Sequence, residues 1–202
     1  IAQLTPDAGG SKFFYDALGR LILSQNAQQQ LSNKYSYTLY DSLGRTKETG
    51  QLTQAIAMTQ TIAQNQKQLA DWLNNKPAEQ ITRTFYDKTY FEGTDLLCPG
   101  LLCQKNLRNR VSFTAVYPTG TPGIAAAGTH DAATYFSYDI AGGADTLLQD
   151  YNSGVMKAGN NRFKKIAYDY DLISGKINKV SYQPGQPDAF YRNNNIQTAY
   201  CG

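Results

Sequence analysis

The chain has 202 residues, enough for one domain with a sizeable core, yet only 41% of it is hydrophobic and its 15 tyrosines suit sheets lined with amphipathic rings. The formal charge is +3, with 19 basic residues scattered along the chain and Lys164-Lys165 the only adjacent pair, so the basic stripe of a nucleic-acid binder is missing and neither DNA nor RNA is expected as a partner. No apolar run is long enough to span a bilayer, so membrane insertion is not expected.

In chain order, residues 1–12 read as a strand remnant and a loop, with Pro6 and Gly9-Gly10 as breakers. Tyr15-Asp16-Ala17-Leu18-Gly19-Arg20 follows, and Tyr40-Asp41-Ser42-Leu43-Gly44-Arg45 repeats it almost letter for letter, the mark of a repeat architecture. Phe13 and Tyr15 before the turn, and Leu21 and Leu23 after it, alternate with polar or small neighbours, the period of a half-buried strand. Asp16 and Asp41 are placed to accept backbone N–H groups at the turn entrance, and Gly19 and Gly44 to take the positive φ that closes a type I turn with a bulge. Each copy is therefore a β-hairpin. Its tyrosine is expected to stack on an arginine or on the tyrosine of the next hairpin, a contact that one unit could not make alone.

A polar linker over 26–33 joins these two units. Between Leu52 and Lys76 the apolar residues recur at three- and four-residue spacing and Pro77 ends the run, which predicts one amphipathic helix of about five or six turns packing Trp72 over the sheet. Weaker echoes of the Tyr-Asp pair follow at Tyr86-Asp87, Tyr138-Asp139, Tyr168-Asp169 and Tyr170-Asp171. The turn after Tyr86-Asp87 lacks the Gly-Arg signature, 92–106 reads as an irregular loop, Leu107 to Tyr117 as a strand and 118–129 as a breaker-rich connection. Strand-turn-strand units are expected over Asp131 to Asp150, with Gly142-Gly143 at the turn, and over Phe163 to Tyr182, with Ser174-Gly175 at the turn. Residues 184–202 read as an irregular tail. The fold expected is all-β: one region over 1–202 of antiparallel hairpins side by side, with a helical insertion at 52–76.

These motifs resemble the YD-repeat, or RHS-repeat, proteins, whose loose pattern is a tyrosine-aspartate pair, a glycine two or three residues on, and a basic residue after it. Tyr15 to Arg20 and Tyr40 to Arg45 match that pattern fully, and 135–149 and 166–183 are similar to parts of bacterial members. The chain departs at Ala141-Gly142-Gly143, where members carry a histidine-glycine-asparagine turn. The resemblance covers about 13–191. It implies a curved or partial shell, as in RHS cores, Tc-toxin C components and teneurins, that encloses a C-terminal polypeptide, in a protein secreted by bacteria or held at their surface. The first residue is Ile1, so an excerpt of a longer array is the expectation.

Candidate chemistry is sparse. Cys98 and Cys103, joined through Pro99-Gly100, are candidate disulfide partners, while Cys201 sits in the tail. His130 is the only histidine, too few ligands accompany it for a metal site, and no orienting context supports a Cys-His nucleophile. Asp169-Tyr170-Asp171 is what the repeat itself produces on a strand, and Ser174-Gly175-Lys176 is a turn rather than a phosphate loop. No enzyme activity and no cofactor are expected. The function expected is structural, within a repeat array. The alternative is a carbohydrate-binding module that presents exposed tyrosines, and clustered outward aromatics would favour it. Open sheet edges predict edge-to-edge self-association, or an edge covered by the inserted helix.

Overall fold

Alternating side chains and aspartate-opened turns fold the chain into consecutive antiparallel hairpins. The computed structural model describes residues 2–5, 9–89, 100–123, 130–159, 161–171 and 173–193. Its elements are β1 (Ala2–Thr5), β2 (Gly9–Tyr15), β3 (Leu21–Gln25), α1 (Ala27–Leu31), β4 (Lys34–Tyr40), β5 (Thr46–Thr53), α2 (Gln60–Gln64), α3 (Gln66–Leu73) and β6 (Ala78–Tyr86). They continue with β7 (Val111–Gly120), β8 (Ala132–Tyr138), β9 (Ala144–Tyr151), α4 (Gly154–Ala158), β10 (Phe163–Tyr170), β11 (Ile177–Tyr182) and β12 (Phe190–Asn193). The described strands form a 12-stranded sheet whose spatial order follows the chain order. This is the all-β hairpin array expected from the alternation.

The chain divides into two compact units, Ile1–Thr84 with Val116–His130, and Phe85–Ala115 with Asp131–Gly202. In the first, Phe14, Leu23, Tyr35, Tyr37, Leu52 and Ile81 are buried side chains of successive strands. In the second, Phe85 stacks on Phe113 with centroids 4.1 Å apart, Phe113 lies 5.4 Å from Tyr135, and Leu148 is buried with them. Such offset ring pairs add roughly 0.5–1.5 kcal/mol each beyond their area.

The single helix expected over 52–76 is replaced by a strand end, a loop and two short helices. Leu52 belongs to β5, where it is buried and paired with Tyr35. Thr59 caps α2 by accepting the Ile62 N–H, and Asn65 leaves helical geometry (φ −98, ψ 109) to accept the Gln68 N–H at the start of α3. Asparagine competes with the helix for its own backbone donors, and here it divides an otherwise continuous apolar stripe. The buried Trp72 meets Tyr35 edge-on at 5.2 Å and donates its indole N–H to the Ile56 carbonyl. Gln60 of α2 bonds both backbone groups of Tyr15, so the insertion rests on interior strands and covers neither terminal strand of the sheet.

The tail expected to be irregular over 184–202 contains a strand, β12. Residues of β12 pair with β11, Arg192 opposite Val180 and Phe190 opposite Tyr182. All four are exposed, so main-chain bonds and the contact of Lys179 Nζ over the Tyr191 ring at 4.7 Å hold the strand, and no apolar alternation announces it.

Candidate functional site

The feature that recurs along the chain is the turn together with its grip on the next hairpin. Asp16 Oδ1 accepts the N–H groups of Leu18 and Arg20, both at 2.9 Å, and Asp16 Oδ2 accepts from Arg20 Nε at 2.7 Å. Gly19 stands at φ +75, and the register slips between Phe14 and Tyr15, the signature of a bulged turn. Asp41 reproduces the arrangement with Leu43 and Arg45 at 2.9, 2.9 and 2.7 Å, and Gly44 stands at φ +81. At both aspartates burial pushes the pKa up, but the arginine and the turn N–H groups outweigh it and hold the carboxyl below its ordinary value.

The arginine also carries the following hairpin. Arg20 lies over the ring of Tyr40 at 4.6 Å, and the Tyr40 hydroxyl donates to the Leu21 carbonyl at 2.8 Å. The second unit repeats this clasp: Arg110 lies over Tyr138 at 5.3 Å, and the Tyr138 hydroxyl donates to the Val111 carbonyl at 2.9 Å. The Tyr170 hydroxyl donates to the Ala144 carbonyl at 3.0 Å. In each case the acceptor is the residue just after the arginine position of the preceding turn. Gly143 occupies that position before Ala144, and a Cβ there would come within 3.2 Å of the Tyr170 ring and 3.1 Å of Asp139 Oδ2. Asp139 Oδ1 instead accepts the N–H groups of Gly142 and Gly143 at 2.6 and 2.8 Å. Burial pushes the Tyr138 and Tyr170 phenols up, so both remain hydroxyl donors at neutral pH.

Tyr86-Asp87 belongs to a split version of the same turn. The Asp87 N–H donates to the Arg110 carbonyl at 3.2 Å, and the Asn109 N–H donates to Asp87 Oδ1 at 2.6 Å. Asn109, at φ +59, takes the place of the motif's glycine, so Asn109-Arg110 supplies the signature that the sequence after Asp87 lacks. At the last turn the assignment shifts by one pair. Asp169 lies within β10 opposite Lys179, and Tyr168 stacks on Tyr170 at 6.3 Å. The turn is opened by Asp171, whose Oδ1 accepts from Ser174 at 2.6 Å and Ile173 at 3.2 Å, while the Gly175 N–H donates to its carbonyl. The Ser174 backbone N–H, the Ser174 side chain and the Ile173 backbone N–H hold this carboxyl below its ordinary value.

The first unit also holds a buried charge cluster that no local motif announces. Glu48 accepts from the Tyr37 hydroxyl at 2.7 Å, Arg83 Nε at 2.8 Å and the Gly123 N–H at 2.9 Å. Arg83 also donates to the Thr121 carbonyl at 3.2 Å and lies over the Tyr117 ring at 4.6 Å. The two ionic side chains are 3% and 4% exposed. Burial, followed by the Glu48 hydrogen bond and charge, drives the Tyr37 phenol far above its ordinary range. Period-two alternation was the available signal: Glu48 shares a face with Leu52, and Arg83 with Ile81.

Other candidates separate. His130 is buried edge-on to Tyr117 at 6.3 Å. Cys103 is disulfide-bonded and so carries no thiolate for a Cys-His nucleophile, while Cys98 and Cys201 lie outside the described residues. Among the described residues no three acidic, histidine or cysteine side chains converge to hold a metal ion, and no helix is long and apolar enough to cross a membrane. An open groove of about 740 Å³ in the second unit is lined by residues 100–101, 148, 157, 161–165, 183–184 and 186–188.

No protein-family model and no curated protein matches the chain. It is similar to the solved structure of TcdB2-TccC3, at 10% identity and a TM-score of 0.47, over 96% of this chain and 9% of that one. A TcdB2-TccC3-TEV structure is similar at 11% identity and a TM-score of 0.43, with 96% and 9% covered. A mutant Tc holotoxin pore of Photorhabdus luminescens is similar at 11% identity and a TM-score of 0.23, with 91% and 12% covered. The chain thus spans about a tenth of the length of these solved chains.

Proposed function

We propose that this chain is a non-enzymatic wall segment of a secreted or cell-surface bacterial YD-repeat (RHS) protein, part of a curved shell that encloses a C-terminal polypeptide or mediates cell contact. The observation that carries this reading is the clasp. Tyr40, Tyr138 and Tyr170 each donate to the carbonyl one residue past the arginine position of the preceding turn. A ring used in this way joins one hairpin to the next and is not turned outward to stack on a sugar, so the same observation weighs against glycan binding through the motif tyrosines. Joining through nearest neighbours is how a repeat array extends without one central core. Electron microscopy of the full-length parent protein tests the reading: a hollow particle with this segment in its wall is the expected result, and a solid globule with the segment outside any wall would overturn it.

Two subsidiary proposals follow. The partner of Cys103 is Cys98, a pairing that closes a small loop and suits an oxidising compartment. Non-reducing peptide mapping should recover the 98–103 peptide, and recovery of Cys201 bound to Cys103 would reject it. β1 and β12 are the terminal strands among the described residues, and the second proposal is that their outer edges pair with another strand. Light scattering behind size-exclusion chromatography should show association that grows with concentration, and a monomer throughout would exclude it.

A further inference from the structure

We infer that the groove beside β10 in the second unit is a docking site for an acidic peptide segment, with Asp188 acting as a built-in occupant of its innermost cation. Lys164 is buried at 8% exposure, and its ammonium reaches Asp188 Oδ2 at 2.9 Å and Asn161 Oδ1 at 3.1 Å. Asp188 is half exposed and rides on the Pro184-Gly185-Gln186-Pro187 loop, so its carboxylate is the more easily displaced member of the pair.

Two further cations line the groove with no carboxylate partner among the described residues. Lys165 donates to the Leu101 carbonyl at 3.3 Å, a neutral partner that leaves its charge uncompensated, and Lys157 is exposed on α4. Arg162, by contrast, is committed to Asp150 at 2.6 and 2.9 Å. Among the described residues the groove therefore holds more positive charge than it neutralises. Its volume of about 740 Å³ lies within the usual range for binding sites.

The identity of the ligand is argued from what already sits there. An aspartate side chain, presented on a loop rich in proline and glycine, fits the inner cation with good geometry. An external segment with carboxylates spaced to reach Lys157 and Lys165 would add two charge-assisted bonds to the one it takes over from Asp188. Steering by the excess charge makes this association sensitive to ionic strength.

The test is fluorescence anisotropy of a labelled glutamate-rich decapeptide with the whole chain at low salt, alongside an otherwise identical glutamine-rich peptide. The glutamate peptide should bind and the glutamine peptide should not. Lys157→Glu combined with Lys165→Glu should weaken binding about tenfold or more, as close charge pairs at interfaces do. Asp188→Asn should strengthen it severalfold, whereas Lys179→Glu, outside the groove, should change it little. Lys157→Gln, on an exposed helix, gives a variant whose fold is not at risk. Failure of both the wild-type chain and Asp188→Asn to bind the glutamate peptide overturns the inference, as does an equal loss with Lys179→Glu. Binding of oligogalacturonate as tight as that of the peptide would overturn the assignment to peptide.

Discussion

Arg20 clasps Tyr40 with its guanidinium carbon 4.6 Å from the ring centroid while its Nε holds the aspartate of its own turn, so a single side chain closes one hairpin and positions the next. The two contacts should be separable by a double-mutant cycle. Arg20→Ala loses both, Tyr40→Phe loses only the hydroxyl bond to Leu21, and Tyr40→Leu loses the ring. For a partly exposed cation on a ring the coupling between Arg20→Ala and Tyr40→Leu should be about 0.5–1 kcal/mol, measured from urea midpoints. Strict additivity would mean that the stack contributes nothing.

The turn carboxylates set the acid limit. Asp16, Asp41 and Asp171 are all held below their ordinary value in the folded chain. A depressed carboxyl stabilises the fold above its unfolded pKa, about 4, and this contribution is lost as pH falls through the folded value. Stability should therefore be flat from about pH 5 to 7 and should decline below about pH 4. Replacing Asp16, Asp41 and Asp171 together by Asn should lower stability at neutral pH and shrink the acid-side decline. An unchanged decline in the triple variant would place the titrating groups elsewhere.

The repeat was legible because its turn chemistry is written in adjacent residues: Asp16 to Arg20 and Asp41 to Arg45 form the turns that their order specifies. The hairpin order of the sheet followed from the same alternation. Features whose partners lie far apart in sequence were not legible. Asn109-Arg110 completes a turn opened at Asp87, and no local pattern joins the two. Asn65 divided the expected helix by taking the role of a cap, a choice the apolar periodicity does not register. Glu48 and Arg83 were readable as inward-facing, but as charges they look like surface residues until their strands are set side by side.

That pair makes a sharp stability test. Glu48 and Arg83 face each other in register, and Glu48 satisfies three donors. Removing one buried partner strands the other, so Glu48→Leu or Arg83→Met alone should cost about 3–5 kcal/mol. The double replacement Glu48→Leu with Arg83→Met should recover much of that loss, because no buried charge remains. Thermal unfolding of the three variants decides it, and a double variant no better than the singles would show that the orphaned Tyr37 hydroxyl and Gly123 N–H dominate.

Asn109 should tolerate glycine and reject a branched residue. It sits at φ +59 in the glycine position of the split turn. Asn109→Gly should be neutral or slightly stabilising, whereas Asn109→Val should cost about 1–2 kcal/mol, because a Cβ-branched side chain is strained in the left-handed region. Denaturant midpoints for the two variants should order Gly above Val, and equal midpoints would remove the backbone argument for this residue.

The least intuitive expectation concerns Gly143, where the motif calls for arginine. Restoring it would appear to give Asp139 the partner that Asp16 and Asp41 have. The neighbouring hairpin opposes it: a Cβ at 143 would lie 3.2–3.3 Å from the Tyr170 ring and 3.1 Å from Asp139 Oδ2, and Tyr170 is held by its hydroxyl bond to Ala144. The ring would have to give by a few tenths of an ångström, which strains that bond. Gly143→Ala should therefore destabilise by about 1–3 kcal/mol, the usual cost of overpacking, and Gly143→Arg by no less. Combining Gly143→Arg with Tyr170→Ala removes the obstruction, so the arginine should then cost far less than in the wild-type background. A Gly143→Arg variant as stable as the original chain would mean that the close approach of Tyr170 does not constrain this turn.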